Sequence, residues 1–146
     1  MRHRLGLAFA AMALWATSAA APPQASLPDP RLYLWQTELY TASGQDFVRY
    51  SYRVTNQDKY PAEMFLPAPD LPPCGRNANS SRTWVDFFDG EGKRLYGFCA
   101  LAKPEDLNKI WFAVPHGTRP PSGVYIEIFD RRTNLKFRSN LAPTQL

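Results

Sequence analysis

The sequence predicts an all-β fold: a single antiparallel β-sandwich of immunoglobulin-like type, with seven or eight short strands and one disulfide. Short segments rich in aromatic and β-branched residues recur from Arg31 to Asn140, separated by clusters of Gly, Pro, Asn and Asp. A proline-rich stretch interrupts them, as a long connection between two sheets does in a Greek-key sandwich. A small closed β-barrel is the second choice, because it also uses many short strands.

Alternation of apolar and polar side chains predicts the first two strands. In the first, at residues 32–40, the side chains expected on one side are Tyr33, Trp35, Thr37 and Leu39. The second, at residues 47–54, alternates more cleanly and is expected to have one wet face. Its apolar face carries Val48, Tyr50, Tyr52 and Val54, and its wet face carries Arg49, Ser51 and Arg53.

The segment from Tyr60 to Cys74 contains five prolines. Proline cannot donate a hydrogen bond to a strand ladder, so this segment is an edge strand at best. A long crossover between the two sheets fits it better. Around residues 103–109, a proline followed by two acidic residues predicts one helical turn in a second connection.

A β-hairpin is predicted from residues 82–88 and 93–99, joined by the turn sequence Asp-Gly-Glu-Gly. Symmetric pairing places Phe88 opposite Lys93 and Trp84 opposite Gly97. Three further strands are predicted at residues 110–114, 124–129 and 135–138. Both faces of the hairpin are apolar, and we expect the proline-rich crossover to cover the second one.

Residues 1–20 predict an export signal peptide, with a basic head, an apolar run and small residues before the expected cleavage after Ala20. The apolar run is shorter than a typical membrane span, so the mature chain is expected to contain no integral membrane segment. The export signal predicts that it works in the periplasm or outside the cell. The remaining 126 residues divide into a proline-rich leader (21–30), the sandwich domain (31–140) and a C-terminal tail (141–146).

The charge of the chain is ordinary. Its 17 basic and 13 acidic residues give +4, and loss of Arg2 and Arg4 with the signal leaves 15 basic residues and a charge of +2. A nucleic-acid partner is therefore not expected, since such proteins carry a strong basic stripe.

Cys74 and Cys99 are the two cysteines. In an oxidising compartment an isolated pair predicts one structural disulfide. The bridge would tie the end of the proline-rich crossover to the end of the hairpin. A redox-active or nucleophilic thiol is not favoured, because no C-x-x-C motif is present.

No pattern predicts a catalytic residue, a metal site or a cofactor. His116 is the one histidine outside the signal, and its place between Pro115 and Gly117 predicts an exposed loop. A small hydrolase that uses His116 is the least favoured alternative. The acidic residues at the hairpin tip lack the spacing of a calcium loop and are typical turn formers.

Aromatic residues and arginines are the strongest candidates for contact with a partner. We expect contact residues among the hairpin rings and the wet face of the second strand, namely Trp84, Phe87, Tyr96, Phe98, Arg49 and Arg53. These residues predict a non-enzymatic exported domain that binds a protein, of inhibitor, immunity or envelope-accessory type. The alternative is a carbohydrate-binding module whose exposed rings stack on a glycan.

Overall fold

Two antiparallel sheets form the computed structural model, which describes residues 26–74 and 81–146. The first sheet contains, in spatial order, β1 (Leu32–Ala42), β2 (Gln45–Val54) and β5 (Ile110–Pro115). The second contains β4 (Arg94–Phe98), β3 (Thr83–Asp89), β6 (Gly123–Asp130) and β7 (Leu135–Arg138), and β8 (Ala142–Pro143) also pairs with β6. The predicted sandwich is confirmed and the closed barrel is not observed. The predicted signal peptide lies outside the described residues.

In the order of the described strands, the chain crosses between the sheets three times. After β1 and β2 it passes to β3 and β4, returns to β5, and then passes to β6, β7 and β8. β4 stays beside β3, whereas in the constant-type immunoglobulin domain the fourth strand joins the first sheet. Short 3-10 turns lie in the connections, at Gln57–Lys59, Ala62–Phe65 and Pro104–Asn108. The last of them is the predicted helical turn.

The hydrophobic core lies between the two sheets. The apolar face of β2 points into it as predicted, and the Tyr52 ring lies 5.4 Å from the Phe87 ring and 5.9 Å from the Phe112 ring. All three side chains are almost completely buried. Burial of this aromatic surface favours packing of the two sheets.

A β-bulge in β1, between Leu34 and Gln36, changes which face its second half presents. Before the bulge, Tyr33 lies opposite Arg53 and so faces outward. After it, Thr37 lies opposite Tyr50 and Leu39 opposite Val48, so both are on the inward side. The prediction that Tyr33, Trp35, Thr37 and Leu39 share one side is therefore wrong, because one extra residue reverses the alternation.

The β3–β4 hairpin is present, but its register differs from the predicted one. Asp86, not Trp84, lies opposite Gly97, and a bulge between Phe87 and Phe88 places Phe88 opposite Arg94. The cause is the turn: the Asp89 carboxylate accepts hydrogen bonds from the backbone N–H groups of Glu91 and Lys93, each at 2.9 Å. Asp89 itself pairs with Lys93, which shifts the strands relative to a symmetric loop.

The proline-rich segment is the predicted crossover and is fastened to the second sheet at several points. The disulfide joins Cys74 to Cys99, as predicted, with 6.0 Å between their Cα atoms. Met64 and Phe65 are buried, and the Thr83 hydroxyl donates to the Met64 carbonyl. The crossover is thus part of the packed domain.

Residues 141–146, predicted as a tail, contribute β8 and belong to the packed fold. Ala142 and Thr144 are buried, and the Tyr52 hydroxyl donates to the Pro143 carbonyl at 3.0 Å. The Asn140 side chain bridges the sheets, because its Oδ1 accepts from the Leu32 N–H at 2.8 Å and its Nδ2 donates to the Leu32 carbonyl at 2.9 Å. The last segment of the chain therefore holds the first strand.

A partly buried ion pair joins Arg82, at the end of the crossover, to Asp130, at the end of β6. Arg82 Nε and Nη2 each donate to the Asp130 carboxylate at 2.8 Å. Burial by itself would raise the pKa of Asp130, but the hydrogen bonds that the carboxylate accepts outweigh this effect and lower its pKa to about 2.

Acid is therefore expected to destabilise the domain through Asp130. The unfolded chain binds this proton at a higher pH than the folded chain does, so stability is retained above the unfolded pKa and lost as pH falls through the folded one. We expect the free energy of unfolding to decrease by about 2 kcal/mol between about pH 5 and pH 2. Urea unfolding at a series of pH values measures this decrease.

The Asp130→Asn variant should lose that part of the pH dependence. The control is Asp70→Asn, because Asp70 forms an exposed ion pair with Arg132 at 3.0 Å and exposed pairs contribute little. A pH profile that is the same in wild type and Asp130→Asn would contradict the assignment.

Candidate functional site

Aromatic rings and arginines cover the outer side of the first sheet. The outward-facing residues of β2 include Arg49 and Arg53, as the alternation predicts, because their neighbours Tyr50, Tyr52 and Val54 are buried. We call this surface the aromatic–arginine face. It consists of Trp35, Tyr40, Arg49, Arg53, Trp111 and, at its margin, Tyr96.

Arg53 is stacked on Trp35. Its guanidinium carbon lies 3.4 Å from the centre of the Trp35 ring, which is a close cation–π contact. Trp35 occupies the bulge of β1 and is 48% exposed. The Arg53 Nε is covered and has no hydrogen-bond partner among the described residues. The guanidinium is therefore held in place by the ring rather than by an acceptor.

Arg49 is held between two rings and one carboxylate. Its guanidinium carbon lies 5.1 Å from the centre of the Tyr40 ring and 5.6 Å from that of Trp111. Its Nε donates to Glu38 Oε1 at 2.7 Å. Tyr40 is itself stacked on Phe47, with 5.5 Å between ring centres. Three strands thus meet at Arg49, because Glu38 lies on β1 and Trp111 on β5.

Tyr96 and Phe98 connect this face to the second sheet. Tyr96 stacks on Trp111 with 5.2 Å between ring centres, and the Phe98 ring stands edge-on to both. Tyr96 is 41% exposed, whereas Phe98 is half-buried against the core. Four of the six predicted contact residues therefore lie in or beside one surface: Arg49, Arg53, Tyr96 and Phe98.

The other two predicted contact residues lie elsewhere. Phe87 is fully buried between the sheets, so it is not available to a partner and is removed from the set. Trp84 lies on the outer side of the second sheet. The Arg131 guanidinium covers its ring at 4.1 Å and donates to the Pro72 carbonyl of the crossover.

The end of the crossover lies beside the hairpin's second face, where Cys74 is bonded to Cys99. Beside it remains a cavity of about 230 Å³, lined by residues that include Trp84, Cys74 and Cys99. An ion pair between Arg94 Nε and Asp86, at 2.9 Å, forms part of its wall. This pair lies over Gly97, where any side chain would meet both partners at 2.2 Å. The cavity is thus lined by a ring, a disulfide and a satisfied ion pair.

Among the described residues, none is hydrogen-bonded to the imidazole of His116. The residue lies in the exposed loop after β5, as predicted, and its imidazole makes no ion pair to the described parts of the chain. Within residues 26–74 and 81–146, no group of three or more His, Cys, Asp or Glu side chains could hold a metal ion. No helix in these ranges is long and apolar enough to cross a membrane.

Trp35, Tyr40 and Trp111 belong to the aromatic–arginine face, and Glu38 accepts a hydrogen bond from its Arg49, although none of the four was among the predicted contact residues. The alternation of Arg49 and Arg53 locates the outer face of β2, but the rings that cover it come from neighbouring strands. Comparison with protein-family models, curated proteins and solved structures finds no match for the chain.

Proposed function

We propose that the chain is an exported, non-enzymatic domain that binds a protein partner through its aromatic–arginine face, as an inhibitor, immunity or envelope-accessory protein. The proposal rests on one observation: the Arg53 guanidinium is stacked on Trp35, and that of Arg49 lies between Tyr40 and Trp111. Trp, Tyr and Arg are the residues most enriched in binding hot spots of protein interfaces. The predicted signal peptide and the single disulfide are compatible with export.

The rigidity of this face supports a binding role. Its side chains stand on three hydrogen-bonded strands and are already stacked on one another. Side chains that are ordered before association lose less conformational entropy when they bind. A partner could therefore use the full contact energy of the rings and guanidinium groups.

A protein fits this face better than a glycan does. Sugar recognition by stacking uses a flat ring whose face is free, whereas Arg53 covers one face of Trp35 and Tyr96 stacks on Trp111. A guanidinium on a ring, by contrast, offers in-plane N–H donors to carboxylates and carbonyls of a protein. Arg49 already donates from Nε and Nη2 to Glu38, whereas no described residue accepts a hydrogen bond from Arg53 Nε.

The test is cross-linking of the mature protein to its partners in the native compartment, with identification by mass spectrometry. The face variant is Arg49→Ala/Arg53→Ala. The matched control is Arg119→Ala/Arg138→Ala, in which Arg119 is exposed and Arg138 is an exposed arginine stacked on Tyr125 at 3.8 Å, on the other sheet. We expect the face variant to weaken binding by about 30-fold or more, a typical hot-spot loss, and the control to bind as wild type does.

Two other outcomes would count against the proposal. A partner that both double variants retain equally would refute this face as the binding surface. Recovery of a bound glycan, with no reproducible protein, would favour the carbohydrate-binding alternative. Since the proposed role is non-enzymatic, His116→Ala should capture the partner as wild type does.

A further inference from the structure

The second half of β1, from Gln36 to Ala42, presents an open strand edge. β1 pairs with β2 on one side, and no described strand pairs with its other side. From Gln36 to Ala42 the register with β2 is unbroken. A straight strand with unpaired backbone N–H and C=O groups is a template for another strand.

Among the described strands, the other three sheet edges are protected, whereas residues 36–42 of β1 have no strand beside them. β5 ends at Pro115, and its Trp111 lies against Tyr96 of β4. β4 is five residues long and adjoins a bulge. The edge formed by β7 and β8 is interrupted between Arg138 and Ala142, and its last residue is Pro143. Residues 36–42 contain no proline, no lysine and no bulge.

The β1–β2 turn determines which residues face the open edge. Its two residues, Ser43 and Gly44, have φ of 51° and 75°, as in the tight turns of two-residue hairpins. The closing pair, Ala42 and Gln45, then exchanges hydrogen bonds, and such pairs alternate along an antiparallel ladder. Residues 37, 39 and 41 therefore direct their N–H and C=O groups away from β2.

We infer that residues 36–42 pair with the same segment of a second copy of this chain, antiparallel, about a two-fold axis at Leu39. Leu39 is 66% exposed, the largest exposure of any bulky apolar side chain in the described strands. The axis places Leu39 opposite Leu39 of the second copy and Thr37 opposite Thr41. In this register the residues with free backbone groups face one another, which permits six new hydrogen bonds.

The charges favour this arrangement. Glu38 is the one charged residue in the segment, so no two like charges lie directly opposite. It falls opposite Tyr40 of the second copy, whose ring carries the Arg49 guanidinium at 5.1 Å. The Glu38 carboxylates and Arg49 guanidinium groups of the two copies then alternate in charge across the axis. The cross-strand pairs of Leu39 with Leu39 and of Thr37 with Thr41 add packing.

The inference goes beyond the proposed function and does not depend on it. Pairing of β1 with β1 joins two three-stranded sheets into one of six strands. Because antiparallel neighbours keep their faces on the same side, both aromatic–arginine faces then lie on one surface. A dimer of this kind presents two binding sites in a fixed relation.

Sedimentation equilibrium of the mature protein, over a wide concentration range, tests the inference. We expect a reversible monomer–dimer equilibrium, weakened by about tenfold or more in Leu39→Lys, since like charges would meet at the axis. The matched control is Leu135→Lys, because Leu135 is a 55% exposed leucine on a strand of the other sheet. Thermal melts of each variant verify that the monomer is folded.

A charge-swap experiment then tests the register. Leu39→Glu alone should also be monomeric, and an equimolar mixture of Leu39→Lys and Leu39→Glu should recover dimers, because residue 39 meets its own equivalent. The inference is overturned if wild type stays monomeric at all concentrations. It is equally overturned if the Leu39→Lys and Leu135→Lys variants dimerise alike, or if the mixture recovers no dimer.

Discussion

Replacing Phe87 with alanine is expected to lower the free energy of unfolding by about 3 to 5 kcal/mol. The ring is fully buried and lies 5.4 Å from that of Tyr52 and 5.6 Å from that of Phe112, which belong to the opposite sheet. Alanine would leave a cavity between the sheets, and the two strands that carry these rings cannot move inward to fill it. Guanidinium chloride unfolding, followed by fluorescence, measures the loss.

Tyr96→Ala is the matched control for Phe87→Ala. Tyr96 lies directly opposite Phe87 in the hairpin, but it is 41% exposed. Its loss should therefore lower the free energy of unfolding by about 1 kcal/mol or less. Similar losses in the two variants would contradict the burial difference on which the candidate site depends.

Removal of the disulfide is expected to produce the second large loss of stability. The bridge closes a segment of 25 residues, and in the chain-entropy model this restriction of the unfolded state contributes about 3.5 kcal/mol. The Cys74→Ser/Cys99→Ser variant should therefore unfold at a much lower denaturant concentration than wild type.

Two measurements accompany the disulfide prediction. The free energy of unfolding of wild type should be lowered by a similar amount when reductant is present. Alkylation without reductant should label neither Cys74 nor Cys99. Equal stability of wild type and the double serine variant would show that the bridge does not restrict the unfolded chain. Quantitative labelling of both cysteines would show that it does not form.

Most strands could be predicted from the sequence, but strand register could not. Alternation in β2 is regular, since each inward residue is apolar and each outward one is polar or charged between residues 48 and 54. The bulges in β1 and β4 leave no comparable signal, because a bulge adds a residue without a distinctive composition. Alternation alone therefore predicts Trp35 on the same side as Leu39, whereas the bulge puts the two on opposite sides.

The candidate site was predicted in part, for a related reason. Phe87 and Tyr96 share one face of the hairpin, as expected, yet one is core and the other is surface. The difference arises because β4 lies at the edge of its sheet, where the opposite sheet no longer covers it. Trp111 was missed because tertiary folding, rather than sequence proximity, brings it to Arg49.

The bridge from Asn140 to Leu32 has a consequence for when the domain can fold. The two residues are 108 positions apart, so the first strand can acquire this partner only when residues from both ends of the domain are present together. Contacts between such distant segments slow folding, because a long loop must close before they form. A chain in which residues 140–143 are not yet available would lack both this hydrogen-bonded contact and the pairing of β8 with β6, and so would be incompletely folded.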